Sequence, residues 1–228
     1  LKKFLIVYRL KYISLFIAQT EFFEQKFKKI YSHIPSAVLP NAFNFNDLYL
    51  VPKLQEDYIH LGYLANYYPH KNHQILFSVC DLIIESNLKI KIYLTLDENN
   101  LPSYFSRNLK SSKYRNVLKN LGTIPHTELS NFYSSLDAVI FPSLLESFTG
   151  SLVEPLVLDI PILASDRFFV SSICGRKALY FDPLSEQSIF DAIQRFLQGQ
   201  RLTESKGNPL DIISWREFCD KLSKLSNL

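Results

Sequence analysis

Two glutamates, Glu146 and Glu154, stand eight residues apart and are the side chains best placed to do chemistry. The polar turn between them, residues 147–151, has the composition of a helix start. Apolar runs at 138–141 and 160–164 have the length and residue types of strands. In an α/β protein, a strand, a polar turn and a helix hold an anion at the helix N-terminus, and neighbouring carboxylates hold hydroxyl groups. This arrangement suits a nucleotide-sugar.

The spacing of the two glutamates is weak evidence, because a pair eight residues apart arises readily by chance. Their position adds weight, since Glu146 follows a predicted strand and Glu154 lies in the first turns of the next helix. The structural alternative is that Glu154 only favours the positive end of that helix, an effect of ~0.3–1 kcal/mol. From the pattern alone, a functional and a structural role stay equally open.

Strand and helix patterns alternate along nearly the whole chain. Predicted strands cover residues 15–18, 37–39, 58–63, 90–96, 117–121, 138–141, 161–164 and 178–181. Predicted helices cover residues 21–31, 72–85, 102–110, 128–135 and 186–197, with a last docked helix within 209–228 that carries Trp215, Phe218 and Leu222 at helical spacing. Near-continuous apolar strands between amphipathic helices are typical of a parallel sheet covered on both faces. The predicted fold class is α/β, a doubly wound, Rossmann-like parallel sheet with ligands at the carboxyl ends of its strands.

The predicted domain organisation has three parts. Residues 1–45 form the remnant of a preceding domain with its linker, 46–200 form the nucleotide-binding domain, and 201–228 form a tail helix. The linker falls at 41–53, because that stretch lacks periodicity and contains turn residues. Since the chain begins with Leu1 and contains no Met, we expect it to be the back part of a longer protein.

Composition excludes several classes of protein. With 47% hydrophobic and 21% charged residues the chain has an ordinary globular composition, and a net charge of +3 is too small to indicate nucleic-acid binding. Cys80, Cys174 and Cys219 are odd in number and far apart. They predict neither a disulfide framework nor a zinc site, and favour a reducing cytoplasm.

The first thirty residues are basic, with seven Lys or Arg against two Glu. This excess leaves two interpretations open: the solvated side of a helix, or a peripheral contact with an anionic membrane. Arg9 and Lys11 interrupt the apolar stretch 4–18, so a membrane span is not predicted there.

Further segments match one enzyme family, in order along the chain. Residues 141–154 resemble the E-x7-E signature, after a strand ending in Pro-Ser, of the family-4 (group 1) retaining glycosyltransferases, which have the GT-B fold. Similar segments are AQT at 18–20, LPN at 39–41, YYPHKNH at 67–73, LGTI at 121–124, ELSNFY at 128–133, SD at 165–166 and ALYFDP at 178–183. Because the resemblance is collinear over nearly the whole chain, it is far more specific than any one motif.

The resemblance implies a role for each candidate residue. Glu154 would bond the ribose hydroxyls, Glu146 would contact the donor sugar, and Lys71 would supply positive charge to the diphosphate. The backbone N–H groups of the turn would face the sugar and diphosphate; they belong to Phe148, Thr149, Gly150 and Ser151. Further donor-binding candidates are Asn66, Gly122 and Thr123.

Lys71 is expected to open the helix 72–85, where N–H groups and an ammonium converge on an anion. The alternative is a solvated surface lysine. Many relatives place an Arg four or five residues before this lysine, whereas residues 63–66 here are Tyr, Leu, Ala and Asn. Stabilisation of the leaving group would therefore depend more heavily on Lys71 and on the helix end.

Metal chemistry is not expected. His70 and His73 flank Lys71 but have no third ligand at a suitable spacing, so we expect structural histidines. No D-x-D, P-loop or G-x-G-x-x-G pattern occurs. We expect no obligatory metal and no cofactor beside the nucleotide-sugar itself, and the missing glycine pattern disfavours a Rossmann oxidoreductase.

The sequence thus predicts the C-terminal, donor-binding half of a GT-B glycosyltransferase. The resemblance implies transfer of a sugar, with retention, from a nucleotide diphosphate-sugar to a glycan or lipid-linked acceptor. Polysaccharide biosynthesis, in the cytoplasm or at the inner face of the membrane, is the expected setting. The alternative is a truncated, non-catalytic nucleotide-sugar-binding module, because the reaction cleft also needs the first domain.

Overall fold

The computed structural model describes residues 9–43, 48–51, 57–200 and 213–226. The strands are β1 (Phe16–Ala18), β2 (Ser36–Val38), β3 (Ala42–Phe43), β4 (Ile59–Tyr63), β5 (Ile90–Leu94), β6 (Leu118–Asn120), β7 (Ala138–Phe141), β8 (Ile162–Ser165), β9 (Ala178–Phe181) and β10 (Ile213–Ser214). The α-helices are α1 (Glu21–Ile30), α2 (Ile75–Glu85), α3 (Ser103–Leu109), α4 (Leu129–Ser134), α5 (Gly150–Val157), α6 (Phe168–Cys174), α7 (Glu186–Leu197) and α8 (Trp215–Ser226). Short 3-10 turns cover Leu10–Tyr12, Pro69–Lys71, Glu98–Asn100 and His126–Glu128.

The chain forms two compact units, one of Leu1–Asn44 with Asp211–Leu228, the other of Phe45–Leu210. The predicted domain boundaries at 45/46 and 200/201 fall next to or within residues 44–47 and 201–212, which lie outside the described residues.

The larger unit is built on a six-stranded, wholly parallel sheet in the order β6-β5-β4-β7-β8-β9. Every residue of β7, β8 and β9 is buried, because helices cover both faces and side chains of both orientations need apolar surroundings. The predicted fold class, a doubly wound Rossmann-like sheet, is confirmed. The bounds of β7, β9 and α7 are those predicted from the sequence.

The strand order reverses between β4 and β7, so chain segments leave these two neighbouring strands on opposite sides. A crevice opens at such a reversal, at the carboxyl ends of the strands, and it is where open α/β sheets bind ligands. Asn72 holds three of the bordering segments together, since its amide donates to the carbonyls of Pro142 at 3.2 Å and Pro183 at 2.7 Å. These bonds fix Asn72 in a left-handed conformation, with φ of 58°.

Close packing brings α4 onto the sheet. A Cβ atom on Gly62, in the middle of β4, would lie 2.3 Å from Leu136 Cδ1 and 3.0 Å from Phe132 Cζ. Glycine is needed there because the end of α4 and the residues after it rest directly on the strand backbone.

Helix α6 was not predicted. It is short, it is rich in the aromatic and β-branched residues that favour strands, and it follows a turn at Asp166. Its formation depends on burial of four side chains against the rest of the unit, those of Phe169, Val170, Ile173 and Cys174.

The smaller unit contains two separate two-stranded parallel sheets, β1 with β2 and β3 with β10, together with α1 and α8. The linker predicted at 41–53 is wrong at its start, because Ala42–Phe43 pairs with β10, which is distant in sequence. Residues 44–47 and 52–56 lie outside the described residues. On α8, Trp215 is 58% exposed and Leu222 39% exposed, whereas Phe218 is half-buried, so the predicted apolar face is only partly covered.

The basic N-terminal stretch is partly described. Residues 1–8 lie outside the described residues, whereas Lys26, Lys28 and Lys29 lie on α1, where Lys28 pairs with Glu24. Within the described part of the chain, no helix combines the length and apolar character needed to cross a membrane.

Candidate functional site

A cavity of about 400 Å³ lies at the crevice between β4 and β7. It is lined by Leu64, Ala65, Asn66, Tyr68, Lys71, Thr95, Thr123, Ile124 and Ser151. Four of the predicted site residues, Asn66, Lys71, Thr123 and Ser151, therefore share one cavity although they come from three separate segments, the loop after β4, the loop after β6 and the start of α5. Lysine supplies the one cationic side chain of this lining.

Lys71 is placed by a 3-10 turn, Pro69–Lys71, and not by the start of an α-helix. The prediction that Lys71 opens a helix is wrong, because left-handed Asn72 interrupts the helical path and α2 begins only at Ile75. The turn is fixed in place by the buried Tyr63 hydroxyl, which donates to the Lys71 carbonyl at 2.8 Å. Lys71 thus brings the charge of its ammonium to the cavity without the N–H groups of a helix end.

Lys71 and Glu146 form an ion pair, with Nζ 2.5 Å from Oε1 and side chains that are only 13% and 11% exposed. The fully buried Ser143 hydroxyl donates to the same carboxylate oxygen at 2.8 Å. The loop after β7 is also tied to the Pro69–Lys71 turn, since Leu144 N donates to the His70 carbonyl at 2.7 Å. The two side chains are mostly buried, so solvent screens their attraction little. A ligand anion that reaches Lys71 must therefore compete with the Glu146 carboxylate for the ammonium.

Glu154 lies on α5 and is held by Tyr133 of α4, whose hydroxyl donates to Oε2 at 2.6 Å. Burial raises the pKa of Glu154, and the Tyr133 hydrogen bond and the charge of His126 partly oppose this rise. Burial, together with the charge of Glu154, raises the pKa of Tyr133 well above its ordinary value. The phenol therefore stays protonated and acts as a permanent donor to the carboxylate.

The N-terminal turn of α5 borders the same cavity. Thr149 is the N-cap in extended conformation and its side chain makes no capping bond, so the first N–H groups of α5 have no partner within the helix. Ser151 lines the cavity, and its hydroxyl donates to the Leu64 carbonyl at 2.6 Å, which ties α5 to the loop after β4. Phe148 is buried, so its ring is not exposed to a ligand.

Gly122 and Thr123 follow β6 on the far side of the cavity. Gly122 has φ of 78°, a conformation that favours glycine, and it turns the chain so that Thr123 reaches the lining. Asn120 connects the carboxyl ends of β5 and β6. Its side-chain oxygen accepts from Leu96 N at 2.8 Å, and its side-chain nitrogen donates to the Leu96 carbonyl at 2.9 Å.

The two histidines beside Lys71 differ in their surroundings. His73 is 1% exposed and lies against Tyr63, with ring centroids 4.7 Å apart. Burial, helped by the charge of Lys71, lowers its pKa to about 3, so it is neutral. His70 is exposed and stacks on Tyr68. Among the described residues, no group of three or more His, Cys, Asp or Glu is arranged to hold a metal ion.

Sequence reasoning missed three side chains that organise the site: Tyr63, Tyr133 and Ser143. Ser143 is the second residue after β7, where polar residues after a buried strand indicate a site. Tyr133 lies within a segment already noted for its resemblance, but nothing in its own neighbourhood indicates that its hydroxyl reaches Glu154.

Comparison with known proteins decides the family. The family described as glycosyl transferases group 1 matches residues 51–208. The chain belongs to this family. TuaC of Bacillus subtilis (strain 168), whose assignment as a teichuronic acid biosynthesis glycosyltransferase is provisional, is 29% identical over 76 residues, which is 33% of this chain and 20% of TuaC.

Two solved structures share the fold of this group 1 chain. Sucrose-phosphate synthase from Thermosynechococcus elongatus has a TM-score of 0.73 at 16% identity, over 93% of this chain and 57% of that one. Anabaena HepE in complex with UDP-glucose has a TM-score of 0.69 at 14% identity, over 94% of this chain and 64% of that one. This chain therefore spans less than two thirds of the length of each of these proteins.

Proposed function

We propose that this chain binds a nucleotide diphosphate-sugar in the cavity at the β4–β7 crevice and supplies the donor side of a retaining glycosyl transfer, as in family 4. The observation that supports this most directly is that Lys71, which pairs with Glu146, and the start of α5 meet at one cavity where the strand order reverses. A cation and free helix N–H groups suit a diphosphate, and carboxylates at its border suit sugar hydroxyls.

Each group then has a part in binding the donor. Lys71 and the N–H groups of residues 148–151 would bind the diphosphate, Glu146 the transferred sugar, and Glu154 the ribose. Asn66, Gly122 and Thr123 would border the nucleoside. HepE, which has the same fold, was solved with UDP-glucose, and this supports a nucleotide-sugar as the ligand class.

Catalysis by this half of the site would be electrostatic. The departing diphosphate develops negative charge, and a fixed ammonium and fixed N–H dipoles stabilise that charge without having to reorganise. We propose that no obligatory metal is needed for this step. We further propose a glycan or lipid-linked acceptor in a cytoplasmic polysaccharide pathway, which the similarity to TuaC supports.

A second candidate function is a nucleotide-sugar-binding module without turnover. The cavity is compatible with it, because every residue of the lining belongs to the larger unit, which could bind a nucleotide without transferring its sugar. An isolated donor unit would bind the nucleotide but would transfer no sugar.

Isothermal titration of the full 228-residue chain with UDP, GDP, ADP and NAD tests the donor site. We expect one nucleoside diphosphate to bind, and Lys71→Ala to weaken it about ten- to a hundredfold, the cost of one charge-assisted hydrogen bond. Glu98→Gln is the matched control, since it removes an exposed carboxylate that pairs with Lys110 and is not part of the cavity lining. Failure of all three diphosphates to bind would refute the proposal, and binding of NAD instead would indicate an oxidoreductase.

Turnover separates the two candidates once binding is known. Incubation with the matching nucleotide-glucose, followed by assay of released diphosphate, measures hydrolysis or transfer. Release that depends on Lys71 favours the enzyme. Binding without any release favours the module.

A further inference from the structure

Tyr133 contacts Glu154, a carboxylate whose charged form is destabilised by burial. Its hydroxyl lies 2.6 Å from Glu154 Oε2, and its side chain is fully buried. Nothing in the donor chemistry described above uses this phenol. A buried hydroxyl aimed at a functional carboxylate determines where that carboxylate points and how readily it ionises.

The helix that carries Tyr133 is held from two sides, so the phenol is precisely located relative to the sheet. On one side, the main-chain N–H groups of Tyr49 and Val51 donate to the hydroxyls of Ser130 and Ser134, at 3.2 and 2.8 Å. On the other, the absence of a side chain on Gly62 lets the end of α4 rest on β4. Two serines that flank Tyr133 and a close contact with the sheet leave the helix little freedom to move.

We infer that Tyr133 is a positioning residue that orients the Glu154 carboxylate toward the ribose of a bound nucleotide and keeps it ionised. One lone pair of Oε2 is taken by the phenol, which leaves Oε1 and the remaining lone pair of Oε2 to accept the two ribose hydroxyls. This inference rests on the proposed function, because it deepens the role assigned there to Glu154.

Ionisation is the second part of this role. A carboxylate that accepts from ribose hydroxyls must be charged, and burial of Glu154 favours its neutral form. Two groups from neighbouring elements oppose burial: Tyr133 on α4 and His126 in the turn before it. Of the two, His126 is exposed and screened by solvent, so Tyr133 is the more important.

The test compares each of UDP, GDP and ADP with its 2′-deoxy form, by titration calorimetry of the full chain at pH values from 5 to 8. The variants are Tyr133→Phe, Glu154→Gln and the double variant. We expect wild type to prefer the ribose form by about tenfold or more, as for a hydrogen bond to a charged group. Tyr133→Phe should reduce this preference about three- to tenfold, leave the 2′-deoxy form bound as in wild type, and shift the loss of affinity at low pH to a higher pH.

Tyr180→Phe is the matched control. It also removes a buried phenol that makes a 2.6 Å hydrogen bond, but the acceptor is the Gly175 carbonyl and not a carboxylate. Both variants should lose some stability, and Tyr180→Phe alone should keep the ribose preference and its pH profile unchanged.

The outcomes separate the inference from the proposed function. If Glu154→Gln abolishes the ribose preference and Tyr133→Phe adds no further loss in that background, the two residues act together as inferred. If Glu154→Gln abolishes it while Tyr133→Phe alone preserves it, the inference is wrong and the proposed function stands. An equal loss for ribose and 2′-deoxy forms in Tyr133→Phe would reduce Tyr133 to a structural residue. If the wild-type chain binds none of the nucleotides, both the proposed function and the role of Tyr133 are refuted.

Discussion

Glu146 pairs with Lys71, the cation that would bind a diphosphate. Replacing Glu146 should therefore strengthen the binding of a nucleoside diphosphate that carries no sugar. Lys71 Nζ lies 2.5 Å from Glu146 Oε1, and both side chains are nearly buried. A diphosphate must draw Lys71 away from this carboxylate or share it. In Glu146→Gln the partner of Lys71 becomes a neutral amide, and Ser143, which donates to the same position, can stay in place.

The magnitude follows from the difference between two kinds of hydrogen bond. Hydrogen bonds with a charged partner contribute about 1.5–3 kcal/mol; the Lys71–Glu146 bond, in which both partners are charged, belongs at the upper end of this range and an ammonium–amide bond at the lower end. Glu146→Gln therefore weakens the hold on Lys71 by roughly 1–1.5 kcal/mol, which corresponds to about five- to tenfold tighter binding of UDP. The nucleotide-sugar should gain less, because the same substitution removes the proposed contact with the sugar.

Titration calorimetry with UDP and UDP-glucose, on Glu146→Gln and Lys71→Ala, measures both effects. The two variants should change UDP affinity in opposite directions, tighter for the first and weaker for the second. Glu98→Gln, which removes an exposed ion pair elsewhere, should change neither. If Glu146→Gln lowered the affinity for UDP as Lys71→Ala does, Glu146 would instead orient the Lys71 ammonium toward the phosphate. That result would refute a competition between Glu146 and the diphosphate for Lys71.

Two further predictions concern stability. His73 is buried and neutral with a pKa of about 3, against 6.5 when unfolded, so the unfolded chain takes up its proton first as pH falls. Stability should therefore drop by about 2 kcal/mol between pH 7 and pH 5, and His73→Phe should remove that part of the slope in urea unfolding. In Gly62→Ala the added methyl group would be overpacked against Leu136, so the free energy of unfolding should fall by about 1–3 kcal/mol and the Tm with it. An unchanged Tm would show that α4 can move away without a loss of stability.

Comparison of the predicted with the observed elements shows where local patterns suffice. β7 and β9 have the predicted bounds because continuous apolar runs determine them locally. The start of α7 is likewise determined locally, by its Ser N-cap. The short helix α6 and the pair β3–β10 were missed, because burial in the first case and a partner strand distant in sequence in the second determine them. Neither determinant is visible in a window of neighbouring residues.

The sequence by itself determined the fold class and the family resemblance, and it proposed four of the residues that line the cavity, since strand patterns and motifs can be read along the chain. The tertiary structure decided how those residues act. Asn72 turns left-handed because its amide bonds the carbonyls of Pro142 and Pro183, and this long-range contact ends the Pro69–Lys71 turn before α2 can begin. The tertiary structure also places Lys71 in contact with Glu146, and Tyr133 in contact with Glu154. These pairings form only when separate loops meet at the crevice, so their geometry cannot follow from spacing along the chain.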